Sequence, residues 1–162
     1  MAHVSLQRQF SPDSTCFGCG PSNDRGLRIA SFEADTDDPD VHPGELVADW
    51  QPLPYYAAFD DVLTGGIIGA LLDCHSTWAA AIQLLHDTAA AGPPGCVTAE
   101  MTVRFRRPTP VRVPVLLRAW PMEIEGSKVI VDAELLSGGL VTATCHAMFV
   151  AVPPGHPAFE RW

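Results

Sequence analysis

The stretch from Leu63 to His86 is the only long helical pattern in the sequence, and it limits what the rest of the chain can fold into. Thr64 is predicted to cap this helix, because its hydroxyl can accept a hydrogen bond from one of the first free backbone N–H groups. Pro93-Pro94-Gly95 follows beyond the far end and stops a helix. At about 1.5 Å per residue, the helix measures roughly 30 Å and can cross a whole sheet. We therefore expect it to be the central helix of the domain.

The two faces of this helix differ in size. Large apolar side chains recur at spacings of three and four, which is typical of a face buried against a sheet. The opposite line holds small residues and one ionisable group, Asp73. A carboxylate halfway along an apolar helix costs several kcal/mol to bury unless it is paired or hydrated, so Asp73 is either a solvent-facing residue or part of a site. The large stripe contains Ile67, Ile68, Leu71, Leu72, Trp78, Ile82 and Leu85, and the small line contains Gly66, Gly69, Ala70, Asp73, Ser76, Thr77 and Ala80.

The start of the helix offers a second feature, the pair Gly65 and Gly66. Free N–H groups and the positive end of the helix dipole favour a developing oxyanion at this position. Gly65 precedes Asp73 by about 12 Å of helical rise, so one carbonyl carbon cannot reach both in the same chain. If the two residues cooperate, they must belong to different subunits with helices side by side.

Composition excludes several classes of protein. The chain has 162 residues, of which 47% are hydrophobic and 18% charged, as expected for one globular domain. Its formal net charge of −9 argues against general binding to nucleic acids or anionic membranes. A local anion site remains open, because half of the basic residues fall in one short segment: Arg104, Arg106, Arg107, Arg112 and Arg118.

The cysteines indicate a reducing compartment. Their odd number and apolar surroundings fit free thiols better than a disulfide framework. Cys16-x-x-Cys19 has no second cysteine or histidine pair at the usual spacing, and two cysteines cannot complete a tetrahedral zinc site. The sequence therefore predicts a tight structural loop there and no metal site. The N-terminus shows no signal sequence, and the helix carries polar residues that make it a poor membrane span, so we expect a cytoplasmic protein. The cysteines are Cys16, Cys19, Cys74, Cys96 and Cys145.

Strand and loop signals surround the helix. Residues 1–15 are predicted to be irregular, and residues 52–62, rich in proline and tyrosine, to form a loop that leads into the helix start. After the helix, apolar and polar residues alternate between Val97 and Phe105, as in a half-buried strand. The resulting order is two strands, one long helix and four antiparallel strands, which pack most economically as one sheet around the helix. The other predicted strands are 27–34, 45–50, 113–123, 128–136 and 140–152.

This order of elements and three motifs resemble the hotdog-fold acyl-CoA thioesterases of the PaaI-like, 4-hydroxybenzoyl-CoA thioesterase superfamily. The resemblance runs from about residue 16 to 153, which leaves an N-terminal segment of residues 1–15 and a tail of residues 154–162. The motifs are Cys16-Phe17-Gly18-Cys19-Gly20 with Gly26-Leu27, then Val62-Leu63-Thr64-Gly65-Gly66 with Leu71-Leu72-Asp73, and Val97-Thr98-Ala99-Glu100 followed by Arg106-Arg107-Pro108.

The resemblance implies an α+β hotdog fold, with an antiparallel sheet of about six strands wrapped around the central helix. It also implies that the N–H of Gly65 polarises a thioester carbonyl, while Asp73 of the other subunit acts as general base or nucleophile. Thr98 matches the residue that holds the attacking water, and Thr77 matches a hydroxyl one turn after the acid. Coenzyme A enters as part of the substrate, without a separate cofactor, and the protein is expected to be at least a homodimer, with a homotetramer left open. The residues expected to bind substrate are Thr64, Gly66, Arg106 and Arg107.

Two departures from the family pattern keep other functions open. Thr64 replaces the family's histidine before the glycine pair, and Ala58 stands where relatives have an asparagine or glutamine. A non-catalytic protein that binds acyl-CoA or a hydrophobic ligand is therefore the alternative. A hotdog hydratase is the third reading, because Asp60 and Asp61 precede the helix, although no histidine follows nearby.

Several polar residues also have plain structural readings. His75 lies about 200° around the helix from Asp73, so the two cannot form a dyad, and a core histidine with hydrogen bonds is expected. Cys74 is interpreted as a packing residue and His146 as structural. Thr64 is expected to act as a cap rather than a catalyst. Arg104 and Arg106 can equally be ordinary exposed strand residues.

Overall fold

The computed structural model describes residues 4–160, which form a six-stranded antiparallel sheet, a separate two-stranded ribbon and one long helix. The helix packs on one face of the sheet, as the sequence predicts. In chain order the elements are α1 (Leu6–Phe10), β1 (Phe32–Glu33), β2 (Leu46–Trp50), a 3-10 turn (Pro54–Tyr56), β3 (Ala57–Phe59), β4 (Val62–Leu63), α2 (Gly65–Thr88), β5 (Cys96–Phe105), β6 (Val115–Glu125), β7 (Lys128–Ser137) and β8 (Leu140–Ala151).

The sheet has the strand order β1-β2-β6-β7-β8-β5. Tight turns join β6 to β7 and β7 to β8, and their glycines Gly126, Gly138 and Gly139 have φ angles of 60°, 58° and 78°. Residues with a side chain rarely adopt these positive φ angles, which explains why glycine occupies the turns. Within residues 4–160, strand β5 pairs only with β8, so β5 forms one long edge of the sheet, and most of its residues are exposed.

Helix α2 is the centre of the hydrophobic core. Strands β2 and β5–β8 all contact it, and the predicted large stripe is buried or partly buried against them. Ser76 and Ala80 on the small line are also fully buried, so this line does not form one open face. Among residues 4–160, α2 alone is long and apolar enough to cross a membrane, and its burial in the core indicates no membrane insertion.

The start of α2 differs from the prediction in one atomic detail. Thr64 occupies the N-cap position, but its hydroxyl makes no capping hydrogen bond. Instead its backbone carbonyl accepts from the N–H groups of Ile67 and Ile68 at 3.1 and 3.2 Å. The backbone N–H groups of Gly65 and Gly66 consequently find no acceptor within residues 4–160.

The N-terminal segment is wrongly predicted to be irregular, because it contains helix α1. Ser5 caps this helix by accepting from the N–H of Arg8 at 3.4 Å, and the side chains of Leu6 and Gln7 are buried. A helix of 5 residues is too short to give a periodic signal in a sequence. Its position therefore depends on tertiary contacts.

The predicted strand at residues 27–34 is mostly wrong, since only Phe32–Glu33 pairs in the sheet. The N–H of Leu27 donates to the carbonyl of Phe17 at 2.7 Å, and that of Ile29 donates to the carbonyl of Gly18 at 3.0 Å. Arg28 between them has a φ of 54°, which no strand residue adopts. The segment is thus held by the cysteine loop rather than by a neighbouring strand.

His75 is a core histidine, as predicted. It is fully buried, with Nδ1 at 2.8 Å from the hydroxyl of Ser31 and Nε2 at 3.0 Å from the carbonyl of Leu46. Because that carbonyl can only accept, Nε2 carries the proton and Nδ1 accepts from Ser31. Gln7 donates in turn to the Ser31 hydroxyl at 2.9 Å, so the chain of bonds joins α1, α2 and β2. Burial lowers the pKa of His75 to about 4 and keeps the ring neutral.

Candidate functional site

Asp73 and Thr98 meet between the middle of α2 and the beginning of β5. The hydroxyl of Thr98 donates to Oδ1 of Asp73 at 2.6 Å. A bulge at Ala99 adds one residue to β5 relative to β8, and the register of the two strands shifts between Thr98 and Glu100. Thr98 pairs with the buried Phe149 and therefore faces the helix. The carboxylate has a second oxygen, Oδ2, with no partner among residues 4–160.

A cavity of about 350 Å³ opens beside this pair. Its size lies at the lower end of the range for pockets that hold small molecules. Trp78 forms one wall of the cavity. The exposed Tyr55 in the 3-10 turn and the exposed Phe59 on β3 are not among the residues that line it. The cavity is lined by Gln7, Ser11, Ser14, Cys16, Cys19, Asp73, Cys74, Thr77, Trp78, Cys96, Val97, Thr98 and Ala158.

Thr77 lines the cavity but does not contact the carboxylate. Its hydroxyl donates to the backbone carbonyl of Asp73 at 2.8 Å, one helical turn earlier. This bond uses the hydroxyl proton, and the oxygen of Thr77 can still accept a hydrogen bond from a molecule in the cavity.

Gly65 and Gly66 lie at the other end of α2, away from this cavity. The ring of Phe105, the last residue of β5, approaches Gly65 so closely that a Cβ there would lie 3.0 Å from Cζ. A Cβ at Gly66 would meet no atom within 4 Å. Strand β5 thus runs antiparallel to α2, with Thr98 beside Asp73 and Phe105 beside Gly65. One protomer therefore separates its carboxylate from its free N–H groups, as the helical rise predicts.

The five clustered arginines do not form one anion site. Arg118 makes a two-bond ion pair with the buried Glu45, at 2.6 and 2.9 Å, and Arg112 pairs with Asp61 at 3.1 Å. Arg107 donates to the carbonyl of Val141 at 2.8 Å. The five are Arg104, Arg106, Arg107, Arg112 and Arg118; the first two line a groove on the sheet face opposite α2.

The same outer face carries His146. Its Nδ1 lies 2.6 Å from Oδ1 of Asp132 on the neighbouring strand. His146 is separated by the sheet from Asp73 and the cavity, since alternate residues of β8 point to opposite faces. Its predicted structural role agrees with this position.

Three thiols form a cluster beside Asp73 that was not predicted from the sequence. The loop that contains Cys16 and Cys19 packs on α2 at Cys74, and the three sulfur atoms all lie within 4.8 Å of one another. Hydrogen bonds from the thiols of Cys19 and Cys74 lower the pKa of Cys16, and the same bonds raise the pKa values of Cys19 and Cys74. In the sequence, the glycines at positions 18 and 20 indicate a tight turn around Cys16 and Cys19, but nothing indicates that Cys74 lies beside them.

The sequence model of the thioesterase superfamily matches residues 61–144, which include Asp73 and Thr98. Among solved structures, a thioesterase superfamily protein from Shewanella loihica PV-4 is similar with 26% identity and a TM-score of 0.62, over 77% of this chain and 91% of that protein. A comparison with curated proteins found no match.

Two further structures resemble the fold at lower identity. A phenylacetic acid degradation-related protein from Ralstonia eutropha JMP134 has 20% identity and a TM-score of 0.67, over 91% of this chain and 99% of that one. The PaaI protein of E. coli has 16% identity and a TM-score of 0.63, over 78% and 81%. The family match covers more than half of the sequence, and the arrangement of sheet and helix is the predicted one. This chain belongs to the thioesterase superfamily and has the hotdog fold.

Proposed function

We propose that this protein hydrolyses an acyl-CoA thioester to the free acid and coenzyme A, at a site formed between two copies of the chain. One observation carries the proposal: in a thioesterase superfamily fold, Asp73 is held by the Thr98 hydroxyl at 2.6 Å beside a cavity of about 350 Å³. A bonded carboxylate with one oxygen left over can activate water or attack a carbonyl carbon.

The edge strand supports the dimer. Strand β5 has one unpaired edge, and an exposed edge of 10 residues is a template for another strand. We expect two β5 strands to pair antiparallel around a two-fold axis at Thr102, which is the midpoint of the β5 ladder between Thr98 and Phe105. Because Ala99 is bulged out of the ladder, Thr98 and Phe105 lie equally far from that axis. Thr98 and Asp73 of one subunit would therefore come close to Phe105 and Gly65 of the partner subunit.

This pairing would bring together the two groups that one protomer keeps apart. The free N–H of Gly65 in one subunit would donate to the thioester oxygen, which becomes negative in the transition state. Gly66 leaves space for the substrate, because nothing lies within 4 Å of a Cβ there. Thr64, whose hydroxyl makes no capping bond, would contact the substrate at the same end.

Two chemical routes fit this arrangement. As a general base, Asp73 takes a proton from water while the water oxygen bonds to the carbonyl carbon. The C–S bond then breaks, and the coenzyme A sulfur leaves and takes up a proton. As a nucleophile, a carboxylate oxygen of Asp73 bonds to the carbonyl carbon and expels the thiolate, and water then hydrolyses the resulting anhydride. Thr98 orients the carboxylate in both routes.

The acyl group and the coenzyme A would occupy different places. The cavity beside Asp73, with Thr77 and Trp78 in its walls, would hold the acyl group. Arg106 and Arg107 follow β5 at the Gly65 end, and we expect them to contact coenzyme A phosphates through charged hydrogen bonds. The five free cysteines of the structure fit a cytoplasmic protein.

The alternative function is binding of acyl-CoA or another hydrophobic ligand without turnover. It is favoured by Thr64, because a threonine cannot supply the imidazole that relatives place before the glycine pair. The cavity and the free N–H groups would then hold a ligand whose thioester stays intact.

Release of free thiol from a panel of short, long and aromatic acyl-CoA thioesters tests the proposal. Asp73→Ala should lower kcat by about 10²–10⁴-fold on the thioester that wild type prefers, as expected for loss of a positioned acid or base. Asp87→Ala is the matched control, because Asp87 is an exposed carboxylate on the same helix. Equal turnover by wild type and Asp73→Ala would place the base elsewhere. No turnover of any thioester, together with tight retention of one of them, would favour the binding protein.

A further inference from the structure

We propose that Cys16, Cys19 and Cys74 bind one thiophilic cation of the Zn²⁺ class in the wall of the cavity. The sulfur atoms of Cys16 and Cys74 are 3.7 Å apart, and all three lie within 4.8 Å of one another. A tetrahedral zinc ion with Zn–S bonds of about 2.3 Å holds its sulfurs about 3.8 Å apart. The observed spacing therefore needs only small side-chain shifts to accept an ion.

The loop that carries the first two thiols is shaped around the Cys16 sulfur. The N–H of Gly20 donates to the carbonyl of Cys16 at 2.9 Å and closes a tight turn that contains both cysteines. The turn also places both sulfurs on the side that faces α2.

The third thiol is held against this loop by close packing. A Cβ at Gly18 would lie 2.2 Å from the sulfur of Cys74, so a side chain at position 18 would displace this sulfur from the cluster. One turn further along α2, the indole N–H of Trp78 donates to the sulfur of Cys19 at 3.4 Å. Two elements that are distant in sequence thus fix three sulfurs around one point.

The cluster has an access route and an open side. Cys16 is exposed to solvent, and all three cysteines line the cavity that Asp73 also lines. Zinc sites with three protein ligands keep their fourth position for water or another small ligand. Here that position would face the cavity, and the ion would join the Cys16–Cys19 loop to the central helix. The inference does not depend on the proposed thioesterase activity.

Metal content of the full-length protein tests the site. Reduced, chelator-treated protein is incubated with Zn²⁺, desalted and analysed for zinc by mass spectrometry, with one zinc ion per protomer expected. Substitution with Co²⁺ should give a sulfur-to-cobalt charge-transfer band and the visible spectrum of a tetrahedral ion. Cys16→Ser, Cys19→Ser and Cys74→Ser should each weaken zinc affinity at least about tenfold. Cys145→Ser is the control, because this buried thiol on β8 lies outside the cluster.

Thermal unfolding separates loss of the site from loss of the fold. Cys16 is exposed, so Cys16→Ser should keep the Tm of the metal-free wild type. At the same zinc concentration, zinc should raise the Tm of wild type by more than that of Cys16→Ser. The proposal is overturned if the reduced wild type retains no zinc, or if Cys16→Ser retains as much as wild type. It is also overturned if metal-free protein from the cell shows three free thiols instead of the 5 in the sequence, because the cluster would then form a disulfide.

Discussion

The hydroxyl of Thr98 donates a hydrogen bond of 2.6 Å to Oδ1 of Asp73, and this bond joins the edge strand of the sheet to the middle of the central helix. It fixes which carboxylate oxygen is engaged and which is available. The bulge at Ala99 turns Thr98 toward the helix. In a regular strand, residues 98 and 101 would point to opposite faces of the sheet, but the extra residue places both on the helix side.

Replacing Thr98 by valine should lower kcat by about 10- to 100-fold, because a hydrogen bond to a charged group contributes about 1.5–3 kcal/mol. Valine has the shape of threonine without the hydroxyl, so the fold should be retained. Steady-state hydrolysis of the preferred acyl-CoA measures the effect. Thr98→Ser keeps the hydroxyl and should stay near wild type; equal losses in both variants would contradict a role for this bond.

The N–H of Gly65 can be removed without disturbing the helix. Proline is well tolerated at the first position of a helix, and Thr64 before it has an extended conformation, with φ −63° and ψ 139°, that proline accepts. Gly65→Pro should lower kcat by about 10²–10³-fold relative to Gly65→Ala, as for loss of one oxyanion donor. Gly65→Ala brings a similar contact with Phe105 but keeps the N–H. Matching rates for the two variants would exclude this N–H from catalysis.

The proposed dimer depends on the edge strand β5. Met101 lies near the middle of that strand and is 37% exposed, so a charge there would be placed beside the two-fold axis. Met101→Arg should convert the dimer to a monomer, measured by sedimentation velocity, and should abolish hydrolysis. Met122→Arg is the control, because Met122 is 58% exposed but lies on β6, away from this edge. A dimer that survives Met101→Arg would place the interface elsewhere.

Burial of His75 makes stability dependent on pH. Its pKa is about 4 in the folded protein and 6.5 in the unfolded chain, so between these values the unfolded chain binds a proton that the folded protein excludes. The stability that the neutral, buried His75 contributes is fully present above pH 6.5 and is lost as the pH falls towards 4. The free energy of unfolding should drop by up to about 3 kcal/mol over this window, at about 1.4 kcal/mol per unit of pKa.

Urea unfolding across that pH window measures the drop. His75→Gln, which does not titrate, should show a smaller decrease than wild type, and the difference between the two reports His75. An NMR titration of the imidazole in wild type gives its pKa directly. A value near 6.5 would contradict this explanation of the pH dependence.

The ion pair between Arg118 and Glu45 should be important for stability. The Glu45 side chain has no exposed surface, whereas that of Arg118 is 23% exposed. Arg118→Met would leave a buried carboxylate unpaired and should lower the free energy of unfolding by about 3 kcal/mol, the low end for a broken buried pair. Arg112→Met removes an exposed pair with Asp61 and should change little. Equal effects in denaturant unfolding would show that burial of Glu45 is not the cause.

The helix and the four strands after it were predictable, because their signals are local. Periods of 3.6 and 2 in the hydrophobic pattern are read within a single segment, and α2 and β5–β8 all follow such patterns. Helix α1 gave no such signal, and the segment at residues 27–34 gave a misleading one. Its apolar residues suit a strand, but hydrogen bonds to Phe17 and Gly18 hold most of it in a loop.

The candidate site divides in the same way. Three groups with chemical potential are visible in the sequence: a carboxylate on an apolar helix, a glycine pair at the start of that helix, and a Cys-x-x-Cys turn. The folded structure shows which of these groups meet. It placed the Thr98 hydroxyl directly on Asp73, left the Thr64 hydroxyl without a capping bond, dispersed the arginines, and brought Cys74 to Cys16 and Cys19. The physical reason is that such contacts join residues far apart in the chain, and packing of loop and strand against one helix fixes them.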